Sequence, residues 1–327
     1  MKKILIIQTA SIGDVILATP IIEKLHHHFP EADIDFLLKK GNESLFRNHP
    51  FLHELIIWDK KNGKYLNFDK ILHTVWFTHY DLVINLQRFF LTGVMTAFSR
   101  AGMKIGFDKN PLSFLFTKKI PHHIGQGEHE VDRNLLLIKD FTDSSRFLPK
   151  LYPSPEDEQA VQSFQHGIYY TISPASLWFT KQYPVEKWKS LLIRIPNDRT
   201  VYLLGGQADF ILCEELKCSG GHLHTVNLAG RLTFLQSAAL MKEARMNFTN
   251  DSAPMHLASS VNAPLTAIFC STVPRFGFGP LSENSIIAEI QERLACRPCG
   301  LHGFQKCPEK HFKCALEIPD ELLSNRL

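Results

Sequence analysis

The sequence lacks most of the features that commit a chain to a membrane, a familiar cofactor or a nucleic acid. None of its 327 residues fall in an apolar run that approaches the roughly 18 residues of a spanning helix. The start, Met1-Lys2-Lys3 followed by Ile4 to Ile7, imitates a signal peptide, but its apolar core is short and Gln8 and Asp14 interrupt it. No Gly-x-Gly-x-x-Gly follows a leading strand, which argues against a dinucleotide dehydrogenase. Neither a Walker-type lysine loop nor a Gly-x-Ser-x-Gly elbow is present, so covalent acyl chemistry has no visible nucleophile. Net charge is only +3, too little to imply nucleic acid. Seven cysteines, an odd number with four crowded near the end, do not make a secreted disulfide framework. Repeats and low-complexity segments are absent too. These exclusions leave a cytoplasmic globular protein, open to peripheral contact with the inner membrane.

What is present is a rhythm. Short apolar runs at Ile4–Thr9, Asp33–Leu38, Leu55–Trp58, Asp81–Leu86 and Lys104–Phe107 alternate with helical patterns near Asp14–His28, Phe68–Phe77, Thr92–Ala101 and Glu130–Asp140. Strands apolar on both faces, separated by helices, predict a parallel doubly wound α/β sheet. Pro20 requires the first helix to kink, or to restart with Thr19 as its cap. The proline-rich stretch Leu148-Pro149-Lys150-Leu151-Tyr152-Pro153-Ser154-Pro155 breaks the periodicity and reads as a linker between domains 1–150 and 151–327. Beyond it the rhythm resumes, with strands at Ile168–Ser173, Thr200–Leu204, Asn247–Thr249 and Leu265–Phe269. Helices follow at Val185–Arg194, Asp209–Leu216, Thr233–Glu243 and Ala253–Ser260. From Ser282 onward a helix, a cysteine-rich loop and a short tail are expected. The chain is thus expected to hold two Rossmann-like domains that face a central cleft.

Chemistry concentrates in the turns that follow strands, where open α/β sheets bind ligands. The stretch Ser11-Ile12-Gly13-Asp14 follows the first strand with the spacing of a capping box, and the helix dipole holds a first-turn carboxylate ionised. Asp14 is therefore a cap, a base facing substrate, or both. In the second half, Ser173 to Pro184 carries small and hydroxyl residues, Ser176 among them, with Lys181, a composition that suits a phosphate or a solvated loop. The strand ending in Gly205-Gly206 is followed by Asp209, either a ribose-holding acid or a helix cap. Asn250-Asp251-Ser252-Ala253-Pro254-Met255-His256 follows another strand. Pro254 suits the first helical turn, so amides near Ser252 and Ala253 point toward a ligand, while Asp251 holds sugar hydroxyls or caps. His256 on residue type alone reads as a core side chain.

Two further groups stand apart. Cys296-Arg297-Pro298-Cys299, Cys307 and Cys314 could complete a structural zinc site, remain reduced, or form a local disulfide. The spacing between Cys307 and Cys314 is wider than the usual second pair. Arg88, Arg100, Lys104, Lys109, Lys118 and Lys119, with His122 and His123, make either a solvated face or a cationic patch that receives an anionic acceptor at a membrane surface.

Taken together, the motifs resemble glycosyltransferase family 9, the heptosyltransferases of lipopolysaccharide core synthesis. Four ordered motifs carry the resemblance. The first is Ser11-Ile12-Gly13-Asp14-Val15-Ile16-Leu17-Ala18-Thr19-Pro20, and the second is Glu130-Val131-Asp132-Arg133-Asn134 after His129. The third joins Lys181-Gln182-Tyr183-Pro184 to the Gly205-Gly206 turn, and the fourth runs from Asn250 to Ala258. The resemblance implies a GT-B architecture and inverting, metal-independent transfer from an ADP-heptose-type donor, with no cofactor required. By it, Asp14 matches the general base, Ser176 and Lys181 hold the donor diphosphate, Asp209 matches the ribose acid, and Asp251 orients the donor sugar. Gly205, Gly206, Ser252, Ala253, Met255 and His256 fall in the donor motifs. Ser11, Gly13 and Arg88 fall on the acceptor side, facing an anionic glycolipid or glycan. The chain departs from the family pattern at Ala253, where glycine is usual, and at Tyr183, where tryptophan is common. Transfer from a different nucleotide-sugar, or nucleotide-sugar binding without catalysis, are the competing expectations. Asp14 argues against the second, since a mere binder needs no base.

Overall fold

Two six-stranded parallel sheets form in succession because apolar, β-branched runs recur at intervals that leave room for a helical crossover between them. The computed structural model describes all 327 residues. It divides into two units, Met1–Tyr152 and Pro153–Leu327, the break falling inside the proline-rich stretch.

In the first unit the strands are β1 (Lys3–Gln8), β2 (Asp33–Lys39), β3 (Glu54–Trp58), β4 (Leu82–Asn85), β5 (Met103–Phe107) and β6 (Lys118–Ile120). Their spatial order is β3-β2-β1-β4-β5-β6, all parallel. The helices are α1 (Ile12–Ile16), α2 (Thr19–His28), α3 (Lys64–Phe77), α4 (Phe90–Ala97) and α5 (Glu130–Leu136). Ile4 to Ile7 are fully buried, as a central parallel strand covered on both faces must be. On one face Leu5, Ile7, Leu37 and Val83 pack against Ile71 and Val75 of α3 and Met95 of α4. Pro20 restarts the helix rather than kinking it. The cap is Ala18, and the Thr19 hydroxyl donates instead to the Ile16 carbonyl at 2.8 Å, one of the carbonyls that the short α1 leaves open.

The second unit repeats the plan. Its strands are β7 (Tyr169–Ser173), β8 (Thr200–Leu203), β9 (Thr225–Asn227), β10 (Met246–Asn250), β11 (Leu265–Phe269) and β12 (Ser285–Glu289), in the order β12-β11-β10-β7-β8-β9. Its helices are α6 (Pro155–Val161), α7 (Val185–Arg194), α8 (Phe210–Ser219), α9 (Phe234–Lys242), α10 (Ala253–Ser260), α11 (Lys313–Leu316) and α12 (Glu321–Ser324). Buried Trp188 packs edge-on to Tyr183 at 5.1 Å, and the core around them takes in Ile172, Phe248, Leu191 and Ile318. Polar Asn247 sits in the middle of β10 without penalty because Thr171 donates to it at 2.5 Å. It donates in turn to the Met241 and Pro264 carbonyls at 2.9 and 2.8 Å. The helix expected after Ser282 is instead β12. Its Ile286 and Ile287 favour a strand, and β11 offers a free edge with Leu265↔Ser285 to Phe269↔Glu289 in register.

Counting outward from β1 and from β7, the two sheets have the same strand order. Each has one topological switch point, between β1 and β4 in the first unit and between β7 and β10 in the second. Ligands of open α/β sheets bind at the carboxyl ends of the strands at such a point.

Candidate active site

The first switch point collects Asp14 and its neighbours. Ser11 caps α1 in extended backbone, the capping box is in place, and Asp14 is half-buried in the first turn. Its carboxylate accepts from the Ser11 amide at 3.2 Å and, in a shorter contact, from the Ser11 hydroxyl. These contacts fix the carboxylate at the first turn of the helix. Gly13 is buried beside it. Across the switch point, Gln87 after β4 donates to Gln8 at the end of β1, so the two strand ends are tied. Arg88 comes next, exposed, and with Phe89, Lys109, His122 and Ile124 it lines a cavity of about 410 Å³.

The Glu130–Asn134 motif supports this site from behind. Buried Arg133 holds Glu130 at 2.7 Å, and His122 lies 3.3 Å from the same carboxylate. Burial pushes the Glu130 carboxyl up, but His122 and Arg133 outweigh it and hold the group below the usual range. Asn134 then donates to the Leu17 carbonyl at 3.1 Å, anchoring the end of α1, the helix that carries Asp14.

The second switch point collects Lys181 and Asp251. Lys181 ends a 3-10 turn after β7, Asp251 directly follows β10, and their charged atoms lie 2.7 Å apart. Thr272, beyond the end of β11, donates to the same Asp251 oxygen at 2.6 Å. Asn250 ties the strand ends together, donating to the Pro174 carbonyl at 2.7 Å and accepting from the Tyr183 amide at 2.9 Å. Ser252 caps α10 in extended backbone, but its side chain makes no cap bond, with Pro254 in the first turn. The helix therefore presents backbone amides at its positive end, beside a paired lysine and aspartate. Together these can receive a diphosphate: amides and dipole for the anion, Lys181 for its charge.

The lysine loop is braced by the cysteine-rich segment. Thr180 donates its amide to the Phe304 carbonyl at 3.0 Å, and its hydroxyl accepts from the Phe304 amide at 2.7 Å. Gly303 stands at φ +79°, where an added Cβ would lie 2.8 Å from the Thr180 hydroxyl. Arg297 holds the carbonyls of Cys270 and Thr272 at 2.8 and 2.7 Å and pairs with Glu289 at 2.5 Å. Sequence reasoning missed Thr272, Asn250 and Arg297 as site-builders. Their position at or against a strand's carboxyl end is the signal that could have found them.

The other expected residues of the second unit lie as follows. Asp209 accepts from the Gly206 amide at 2.8 Å, so it closes the Gly205-Gly206 turn as a cap. Ser176 is half-buried, its carbonyl held by Gln182 at 2.7 Å. Met255 and His256 are buried on α10, and Tyr183 is in the core. Of the readings open for Cys296, Cys299, Cys307 and Cys314, no disulfide joins them. All four are free thiols and no three bring their sulfurs within 4.8 Å of one another, although Cys296, Cys299 and Cys307 all lie close enough to raise Cys314. Cys314 belongs to the core through α11, and burial pushes its thiol up to about 12. The groups that do meet that spacing are Asp35, His53 and Glu54, but Asp35 is already taken by His53 and Tyr80, both at 2.8 Å. The uniform basic patch also dissolves. Lys104 caps the end of α4 through the Ala97 carbonyl at 2.7 Å, Lys118 pairs with Asp140, and His122 is buried. Lys60 was not anticipated. It donates to the Thr9 carbonyl and hydroxyl, both at 2.9 Å, just ahead of Ser11. Burial, then Lys39 and Lys64, lower its ammonium to about 8.

With this geometry in place, comparison with known proteins assigns the chain. It belongs to glycosyltransferase family 9 (heptosyltransferase), whose model matches residues 69–301, and the paired parallel sheets are the GT-B architecture of such enzymes. The activity is that of a glycosyltransferase. Lipopolysaccharide heptosyltransferase 3 of Escherichia coli is 27% identical over 289 residues, covering 84% of this chain and 85% of the relative. The solved E. coli ADP-heptose lps heptosyltransferase II superposes with a TM-score of 0.79 at 18% identity, covering 100% of this chain and 97% of that one. E. coli heptosyltransferase WaaC with ADP-2-deoxy-2-fluoro heptose superposes at 0.68 with 18% identity, covering 88% and 93%. No helix is long and apolar enough to cross a membrane.

Proposed function

We propose that the enzyme moves a heptose, or a closely related sugar, from an ADP-sugar to the core of a lipopolysaccharide or another surface glycan. Transfer inverts the anomeric centre and uses no catalytic metal. The first unit binds the acceptor and the second the donor, at the inner face of the cytoplasmic membrane. The family membership and the names of the relatives support the sugar and the nucleotide.

The observation that carries the reading is the lysine–aspartate pair beside the positive end of α10 at a switch point. Inversion needs a base on the acceptor hydroxyl and a place for the charge that develops on the leaving diphosphate. Asp14 takes the proton as the hydroxyl oxygen attacks the anomeric carbon and the carbon–oxygen bond to the diphosphate breaks. Lys181 and the α10 amides receive the negative charge. Asp251 orients the sugar, with Ser252, Ala253 and the Gly205-Gly206 turn around the nucleotide. Ser11, Gly13 and Arg88 meet the acceptor.

A thermal-shift panel of ADP-, UDP-, GDP- and CDP-sugars tests this, because a ligand stabilises the fold it binds. Stabilisation by an ADP-sugar, followed by transfer to a core acceptor, is the expected result. Stabilisation by NAD and by no sugar nucleotide would refute it.

A further inference from the structure

The carboxyl edge of the first sheet carries an aromatic surface to which the proposed transfer assigns no role. Phe89 and Phe90, entering α4, are 61% and 56% exposed. Phe114 and Leu115, on the 3-10 turn after β5, are 70% and 46% exposed. Large side chains at such exposure cost solvation free energy, and their clustering marks an interaction surface. The cluster is built, not incidental. Asn110, almost fully buried, donates to the Gln87 and Phe89 carbonyls at 3.0 and 3.1 Å and accepts from the Leu112 amide at 3.0 Å. It thereby staples the loop before α4 to the loop after β5. The staple needs Gly93, since a Cβ there would lie 2.3 Å from the Asn110 side-chain oxygen.

The surroundings are cationic. Although Lys104 and Lys118 are engaged elsewhere, Arg88, Lys109 and Lys119 are exposed, and Asp108 is the one acid between Gln87 and Ile124. Arg88 and Lys109 lie at the base of the aromatic loops, lining the same cavity.

We infer that these two stapled loops dock on an anionic bilayer surface, with the aromatic rings in the headgroup–acyl boundary and the cations on anionic headgroups. Rings flanked by lysine and arginine are the composition of an interfacial anchor. The position adds a reason. β1, β4 and β5 are adjacent, and the loops leave β4 and β5 at the end where Asp14 leaves β1. A glycolipid held in that bilayer would present its sugar at the edge that carries Asp14. This inference rests on the reading of a glycolipid acceptor.

The test is cosedimentation of the full chain with phosphatidylcholine vesicles, with and without phosphatidylglycerol, in the absence of donor and acceptor. Failure here therefore stays separate from failure of the transfer reading, which the sugar-nucleotide panel judges. The wild type should sediment with phosphatidylglycerol vesicles, more weakly as salt rises, and stay in solution with phosphatidylcholine alone. The double variant F89S/F114S should melt at the wild-type temperature and lose at least about tenfold in partitioning. Three results would overturn the inference: no vesicle binding by the wild type, equal binding to neutral vesicles, or an unchanged partition in the double variant. Loss of self-association in the variant, with no vesicle binding, would instead make the patch an interface between copies of the chain.

Discussion

Replacing Lys181 by alanine separates leaving-group stabilisation from simple charge balance. The Lys181 ammonium lies 2.7 Å from Asp251, with side chains 15% and 8% exposed. For unit charges about 4 Å apart at an effective dielectric near 20, attraction is roughly 4 kcal/mol. The lysine already satisfies Asp251, so only the increment that grows as the diphosphate departs can lower the barrier. Taking about half to three quarters of the full interaction gives roughly 2–3 kcal/mol, a loss of about 30- to 150-fold in kcat. K181A also strands the Asp251 carboxylate, supported only by Thr272 at 2.6 Å, and a stranded buried charge costs up to about 3–5 kcal/mol of stability. The assay is steady-state transfer from an ADP-sugar alongside thermal melting, on K181A and on K181A/D251N. The single variant should lose both turnover and melting temperature; the double should regain melting temperature and not turnover. Turnover that stays at the wild-type level in K181A, or that recovers in step with stability in the double, would show that Lys181 only neutralises Asp251.

The remaining expectations are narrower. D14N should fold and bind donor as the wild type does, yet lose about 100-fold or more in transfer; a variant that unfolds instead would make Asp14 chiefly a cap. T272V should raise the donor KM several-fold with little change in kcat, and T272S should restore it, because the 2.6 Å bond positions Asp251 rather than touching substrate. Burial, then Lys39 and Lys64, hold the Lys60 ammonium down at about 8 against an ordinary 10.5, so the fold carries the cost of charging it fully below pH 8. That cost disappears as pH rises from about 8 toward 10.5. Since Lys60 sits 4.6 Å over the Trp58 ring, tryptophan fluorescence should show a transition near pH 8 that K60M abolishes; a midpoint near 10.5 would contradict the burial argument.

Much of this was legible because strand ends carry the chemistry. The runs Ile4 to Ile7 and Leu265 to Phe269 announce buried parallel strands, and the residues just beyond strand ends include Asp14, Lys181 and Asp251. Pairings that depend on strand order were not legible. That Lys181 meets Asp251, 70 positions away, follows only from β7 lying beside β10. The same adjacency explains Asn250, whose amide bridges those two strand ends. Edge elements were missed for a related reason: β6, β9 and β12 are short or mixed in pattern, and a neighbouring strand decides them. That Cys314 enters the core through α11 was likewise not legible in the cysteine spacing.

Asp209 and Asp251 show why residue type alone could not settle role. Both follow strands and precede helices, and both could cap or bind. The Asp209 carboxylate accepts from the Gly206 amide three residues earlier, a local bond that closes a turn whatever ligand is present. The Asp251 carboxylate accepts no comparable local bond; its partners are Lys181 and Thr272, from two other strand ends. A cap needs only its own helix, whereas a side chain held from three strands is held for position. The cost of bringing that carboxylate and an ammonium out of water is repaid in the free protein by their contact. On the proposed reading, a bound diphosphate would compete with Asp251 for the same ammonium. Donor binding would then loosen Asp251 toward sugar hydroxyls as Lys181 turns to phosphate, with Thr272 holding the freed carboxylate in place.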